Sequence, residues 1–284
     1  MIEAATEVRD QARGRAAAAA EQAGVTVRVL HELPDLEQIV ALYNAVWRPD
    51  PTNPPATLEL LRVVSHIGSY VAAAYRGEQM VGATVGLFGP PDSRSLHSHI
   101  TGVLPDGQAR GVGFALKTHQ RAWALANGVR TIGWTFDPLV SRNAHFNLAK
   151  LGARCRVYLE SFYGDMPDEL NAGDESDRLL LDWELTDPAV ARALDGHPVE
   201  RVPDAMVALD IAADQRPVPG EVKGRYVEVR IPPDIYAVRK AHPETALRWR
   251  LAVRDVLGGL LADGAVITGF SRDGGYLLDR GEDA

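Results

Sequence analysis

The stretch that decides the fold runs from Ser95 to Asn127: Ser95-Leu-His-Ser-His-Ile-Thr-Gly-Val-Leu-Pro105, then Asp-Gly-Gln-Ala-Arg-Gly111-Val-Gly-Phe-Ala-Leu-Lys117. Apolar and polar residues alternate up to Pro105, a glycine-rich turn follows, and a helix opens near Val112. On that helix Val112, Leu116, His119, Trp123 and Ala126 recur at about 3.6 residues, which predicts a buried stripe. The run therefore reads strand, glycine loop, helix. The first N–H groups of such a helix and the positive end of its dipole point at whatever occupies the loop, which suits an anion. Gly111 and Gly113 remove side chains where a phosphate has to approach the backbone.

Working outward, residues 25–30 alternate as a first strand, and Asp35 is placed to cap a helix through Trp47 with Leu36, Ile39, Val40, Tyr43 and Val46 on one face. Pro49, Pro51, Pro54 and Pro55 interrupt regular structure before a second helix over 57–66. Two strands, 69–75 and 80–88, flank the turn Arg76-Gly77-Glu78. Beyond Asn127, Gly128 suits a helix C-cap, 130–136 is a strand, Ser141 caps a short helix ending near Leu151, and strands follow over 154–163 and 179–185. Residues 187–224, rich in proline and charge, read as a linker or surface wrap. A strand over 226–231, a helix opening at Pro243 and a hairpin around Asp273-Gly274-Gly275 complete the chain. The alanine-rich 1–24, broken by charges, reads as a surface helix or frayed arm.

With 284 residues, 46% hydrophobic and 24% charged, the composition is that of a globular protein large enough for a good core. A net charge of −8 and a pI near 5.5 argue against nucleic acid as partner. The lone Cys155 excludes an intramolecular disulfide, and its strand position predicts a buried structural thiol. The apolar runs fall short of a membrane span, and residues 1–24 lack the uninterrupted apolar centre of a secretory signal. A cytoplasmic, soluble protein with no membrane or metal partner is expected.

The loop is neither a P-loop, since Gly113-Phe114-Ala115 stands where Gly-Lys-Ser/Thr is needed, nor a dinucleotide fingerprint, which wants a third glycine and a later acid. Gln108-x-x-Gly111-x-Gly113 instead resembles the pyrophosphate loop of the GNAT superfamily of acyl-CoA-dependent N-acyltransferases. The element order over 25–185 resembles that family as well, and the whole chain looks like a bacterial GNAT group with a C-terminal extension. The resemblance implies an α/β (α+β) GNAT fold: a mixed, mostly antiparallel sheet flanked by helices, with a strand-helix-hairpin extension. Expected domains are an arm over 1–24, a GNAT domain over 25–186, a linker over 187–224, and an extension over 225–284 packing on the GNAT domain.

Acyl transfer to an amine needs a held thioester, an amine freed of its proton, and a proton for the departing thiolate. The resemblance implies that Gln108, Ala109, Arg110, Gly111, Val112, Gly113 and Phe114 hold the pyrophosphate of acetyl-CoA or another acyl-CoA, succinyl-CoA included. It also implies that the backbone of Gly102, Val103 and Leu104 holds the pantetheine arm. His97 and His99, at i and i+2 on a strand, share a face, and His97-Ser98-His99 resembles the His-x-His strand of arylalkylamine N-acetyltransferases. His99 is the preferred general base, with His97 beside it. The family's helix tyrosine is missing, Leu148 standing in its place; Tyr158 and Tyr163 are the nearest substitutes and solvent a further proton source, with Tyr163 put forward as the acid. Asn143 and Phe146 are candidates for cofactor contact, and Trp47 for lining the acceptor pocket. Arg142 either pairs with Asp137 or meets a substrate carboxylate. Arg248, Arg250 and Arg254 read as a solvated helix face.

The expected activity is acetyl or succinyl transfer from acyl-CoA to a primary amine of a small molecule such as an amino acid. The alternatives are a non-catalytic acyl-CoA-binding or regulatory module, and a homodimer scaffold built on the tail.

Overall fold

Four alanines at helical spacing explain the first layer. The computed structural model describes residues 2–50, 53–108, 110–164, 166, 174–197, 205–271 and 273–282, without the side chains of 2–5 and 108. Within it, α1 (Ile2–Ala23) buries Ala12, Ala16, Ala19 and Ala23 along one stripe. Small side chains let two helix axes approach closely, and this face packs against the long helix that opens at Val112. The alanine-rich start is thus a packed helix, not a frayed arm. Its charges lie on the other faces, and that mixture made it read as surface.

The chain divides into two compact units, Met1–Gly133 and Trp134–Ala284. After α1 the first unit runs β1 (Thr26–Val29), α2 (Leu33–Trp47), α3 (Leu58–His66), β2 (Tyr70–Arg76), β3 (Gln79–Phe88), β4 (Ser95–Val103), α4 (Pro105–Gln108), α5 (Val112–Ala126) and the start of β5 (Thr131–Phe136). Strands β1 to β4 are antiparallel neighbours in chain order, and β5 joins β4 in parallel. One face of this sheet buries Leu36, Ile39, Tyr43, Leu61 and Val64 of α2 and α3 against Val71, Ala73 and Val85. The other face buries Val112, Ala115 and Leu116 of α5, with Ala19 and Ala23 of α1, against Ala74 and Val81.

Several local expectations shift here. Helix α2 begins at Leu33 with Pro34 in its first turn, so Asp35 lies inside the helix, where its carboxylate accepts from the Tyr75 hydroxyl at 3.3 Å. The helix read over 57–66 is α3, and Thr57 caps it by accepting from the Leu60 N–H at 3.2 Å. Helix α5 is buried on more than one side because α1 covers it. Lys117, Thr118, Gln120 and Arg121 are therefore buried, while Ala126 at its end is exposed.

In the second unit the end of β5 is followed by α6 (Ser141–Ala144), which runs on as a π-helical turn over His145–Lys150, and by β6 (Arg154–Leu159) and β7 (Arg178–Glu184). There the order is β5-β7-β6. Next come α7 (Pro188–Leu194), β8 (Met206–Ile211), β9 (Pro217–Pro219), β10 (Tyr226–Arg230), α8 (Ile235–Ala241) and α9 (Pro243–Val253). A π-helical turn over Arg254–Gly258, α10 (Gly259–Ala262), β11 (Val266–Phe270) and β12 (Gly275–Asp279) close the unit. Its second sheet has the order β11-β12-β10-β8-β9, with β8 parallel to β10. The segment read as a linker over 187–224 therefore holds α7, β8 and β9. Asp187 caps α7 by accepting from the Ala189 N–H at 2.8 Å, with Pro188 in the first turn, so the proline there starts a helix. Strand β6 ends at Leu159, and Tyr163 lies in a turn fixed by Asp177 accepting from the Ser161 N–H at 2.9 Å. The N-cap of α6 is Val140, not Ser141.

The basic helix face of α9 and its π-turn is not solvated. Arg250 is fully buried and Arg254 largely so, and only Arg248 is exposed. Arg250 donates to both carboxylate oxygens of Asp137 at 3.0 Å and to Asp174 at 2.8 Å. Arg239 of α8 donates to the same two carboxylates at 2.6 and 2.7 Å. Burial alone would raise the Asp137 carboxyl, but the guanidinium groups of Arg250 and Arg239 overcome it and hold the pKa at about 2.

Removing one partner leaves a buried charge uncompensated. Arg250→Met should lower stability by about 3–5 kcal/mol in urea unfolding. The folded pKa of Asp137 lies below the unfolded value of about 3.9, so its stabilising share is complete above that pH and is lost as pH falls through its folded pKa. Acid unfolding of the wild-type chain should accordingly steepen below pH ~4.

Candidate functional site

A bulge in β4 sets the geometry of the first unit's polar cluster. Leu87 pairs with His97 and Gly86 with Ser98, but the next residue of β3, Val85, pairs with Ile100. His99 is the extra residue, and a bulge re-aims the side chain it carries. The His97 and His99 rings lie 6.3 Å apart between centroids, tilted by 41°. His97 is half-buried and His99 more open. Burial lowers the pKa of both, and at His97 the neighbouring His99 and Lys117 lower it further. Both imidazoles are therefore neutral near pH 7 and able to accept a proton.

Ser98 points the other way, into the layer under α5. Its hydroxyl accepts from the Lys117 ammonium at 2.8 Å, and Lys117 also reaches the Gln120 carbonyl oxygen at 3.2 Å. Thr84 and Thr101 share a 2.8 Å hydrogen bond between the paired strands β3 and β4. The sequence signal for Lys117 was a lone lysine just after the buried Leu116, legible only once α1 is known to cover that side.

Gly102 is required sterically. A Cβ there would stand 2.8 Å from the Trp47 ring and 3.0 Å from Tyr43. The two aromatics meet edge to face at 5.3 Å, and Trp47 is half-buried while Tyr43 is wholly buried. The Tyr43 hydroxyl has no hydrogen-bond partner among the described residues, and burial pushes its pKa up.

After Val103 the chain turns tightly. The Leu104 N–H donates to Val81 at 3.0 Å and its carbonyl accepts from Gly107 at 2.8 Å, so both backbone groups of Leu104 are engaged within the fold. A Cβ at Gly107 would lie 2.9 Å from a Val103 methyl. Gly111 takes φ +79°, which favours glycine, and its carbonyl accepts the first helical bond, from Ala115 at 3.0 Å. The N–H groups of Val112, Gly113 and Phe114 precede that bond and have no acceptor within the helix. The first turn of α5 carries no acidic residue, and the space beside Gly113 is open to 4.0 Å. Arg110 is exposed and Phe114 half-buried. Ala109 and the Gln108 side chain lie outside the described residues.

The first unit thus brings together His97, His99, Gly102, Val103, Leu104 and Trp47 on β4 and its packing partners, with Arg110 to Phe114 in the loop that follows. Arg142, Asn143, Phe146 and Tyr163 belong to the second unit. There Asp137 is taken by Arg239 and Arg250, not by Arg142, which lies 5.5 Å over the Tyr236 ring. Asn143 and Phe146 are half-buried. The Tyr163 hydroxyl is bonded to Thr135 at 2.9 Å, with Arg178 5.4 Å over the ring. Cys155 is partly buried, and burial pushes its thiol up to about 12, the inert range for a thiol.

Gly102→Ala should force Trp47 off β4. Loss of about 1–3 kcal/mol and a changed Trp fluorescence are expected, with most of the loss absent in a Trp47→Ala background.

The acetyltransferase (GNAT) domain model matches residues 6–137. No curated protein matches the chain. Among solved structures, the ribosomal-protein-S18-alanine N-acetyltransferase of Escherichia coli is 16% identical over 57% of this chain and 95% of its own, with a TM-score of 0.44. The ribosomal-protein-S5-alanine acetyltransferase of Vibrio fischeri is 17% identical over 58% and 94%, at 0.46. yncA of Salmonella typhimurium, solved with its cofactor acetyl-CoA, is 15% identical over 58% and 95%, at 0.45. No helix among the described residues is long and apolar enough to cross a membrane, and no group of His, Cys, Asp and Glu among them is arranged to hold a metal.

Proposed function

We propose that the chain belongs to the GNAT acetyltransferase family, whose domain model matches residues 6–137, and that it is an N-acyltransferase moving an acetyl or succinyl group from acyl-CoA to a primary amine of a small molecule such as an amino acid. The observation that carries the reading is the pair of imidazoles at the β4 bulge, both held neutral. The loop fits the diphosphate of such a cofactor: open N–H groups on α5, a left-handed glycine ahead of them and no acidic residue in the first turn. Acyl-CoA supplies the acyl group already activated as a thioester.

The chain's own work is then to bind, aim and deprotonate. Val112, Gly113 and Phe114 donate their N–H groups to phosphate oxygens, and the dipole of α5 adds to that attraction. His99 takes the proton that the amine must lose to attack, and His97 beside it shares the charge. The thiolate that leaves takes its proton from solvent, since no side chain of the first unit is given that part. Trp47, pressed on Gly102, offers the acceptor an apolar wall. The transfer is direct, without an acyl-enzyme, and it uses residues of the first unit alone.

Free-thiol release from acetyl-, propionyl- and succinyl-CoA with pooled amino acids and arylalkylamines tests this, alongside thermal shift with each thioester. His99→Ala should lower kcat/KM by about 10²–10⁴ while the cofactor-induced thermal shift is kept. The activity should fall as pH drops below the ordinary histidine range, because a lowered pKa keeps the base neutral until then. A thermal shift without turnover for any pair would favour the binding module, and no shift with any thioester would remove the loop assignment.

A further inference from the structure

Building on the proposed role of the histidine pair, we propose that Lys117 is a positioning residue that sets the proton affinity of His97 from behind β4, through its hydrogen bond to Ser98. A lysine on a helix interior is ordinarily at the surface with its ammonium in water. This one is buried, and its Nζ lies 2.8 Å from the hydroxyl of the residue that separates the two histidines. Ser98 is itself buried, so the contact is made out of water, where a charge is felt more strongly. Gln120 supplies the second contact at 3.2 Å, and its own amide nitrogen is buried without a hydrogen-bond partner among the described residues. Strand alternation turns Ser98 to the α5 layer, opposite His97, and the bulged His99 keeps its ring 6.3 Å from that of His97.

The other charged groups packed against α5 have partners or roles elsewhere. From β4 the neutral Ser98 and Thr101 face α5, with His97 and His99 beside them on the strand, and from β3 come the neutral Thr84, Gly82 and Gly86. Tyr70 of β2 is bonded to His119 of α5 at 2.7 Å. On β1, Arg28 lies 4.0 Å over the Tyr75 ring of β2. Arg15 of α1 acts on Arg121, and Asp106 of α4 is exposed. His97 is the group on β4 whose proton affinity the Lys117 charge lowers, after burial and His99.

Burial brings the Lys117 ammonium down to about 7. Below that pH Lys117 carries its charge and keeps His97 neutral, and above it the charge leaves and the repulsion goes with it. The two groups form a coupled pair whose titrations report on each other. The linkage also has a sign for stability. The folded pKa of Lys117 lies below the unfolded one, so the chain gains stability as pH rises from about 7 toward the ordinary lysine range.

The test is an NMR titration of the His97 and His99 rings and the Lys117 Cε on the full chain, which does not depend on turnover. In the wild type, Lys117 should titrate near neutrality and His97 should show a second inflection at the same pH. In Lys117→Met, that inflection should vanish and the His97 midpoint should rise by ~0.5 pH unit or more. The acid limb of kcat/KM should move up in parallel, which a merely structural lysine would not produce. A Lys117 midpoint above pH ~9.5 in the wild type would overturn the proposal even if no variant folds, and so would an unmoved His97 midpoint in a folded Lys117→Met.

Discussion

The extra residue in β4 is the constraint on which the first unit's site depends. In a regular strand His97 and His99 would share one face and Ser98 and Ile100 the other. With His99 bulged out of register, Ser98 and Thr101 both turn toward α5, while Ile100 joins the core under α2 and α3. One strand thus presents a hydroxyl to the buried lysine on one side and Gly102 to Trp47 on the other. A strand without the bulge would exchange these faces beyond residue 99 and bury the wrong set.

The second unit rests on a different kind of interaction. Its carboxylates at Asp137, Asp174 and Asp177 are matched by guanidinium groups at Arg239, Arg250 and Arg254 from α8, α9 and the turn after it. Arginine suits this because a planar fork can serve two carboxylates at once, as Arg250 does. Such a network is weak evidence for net stability, because desolvation offsets much of the attraction. What it supplies is specificity of arrangement: residue 137, just past β5, is held to two helices a hundred residues later in the chain.

Most of the first unit was legible because its signals are local. Alternation marks β4, the turn Arg76-Gly77-Glu78 separates β2 from β3, and Gly111 stands where a left-handed φ is needed. What was not legible depends on partners distant in sequence. Arg250 reads as a surface charge and Lys117 carries no signal of its own, since nothing nearby in the chain shows Asp137, or the cover that α1 lays over α5. The bulge is equally silent in the sequence, because His-Ser-His alternates correctly on paper and only the pairing with β3 shows the extra residue. Proline misled in both directions: at Pro188 it opens a helix, and at Pro217 and Pro219 it sits in an edge strand, where a missing N–H costs no ladder bond.

The buried polar group under α5 is where these strands of argument meet. An unbranched apolar side chain such as methionine would fill the Lys117 site without desolvating an amine, and the adjacent Gln120 nitrogen is a buried donor without a hydrogen-bond partner among the described residues. A fold selected for stability alone would replace both. Their position under Ser98, between the two imidazoles, ties that cost to the one place on β4 where proton affinity matters. The same burial that penalises the ammonium brings it to about 7, so that it changes charge in the range where the histidines must be neutral in the proposed reaction.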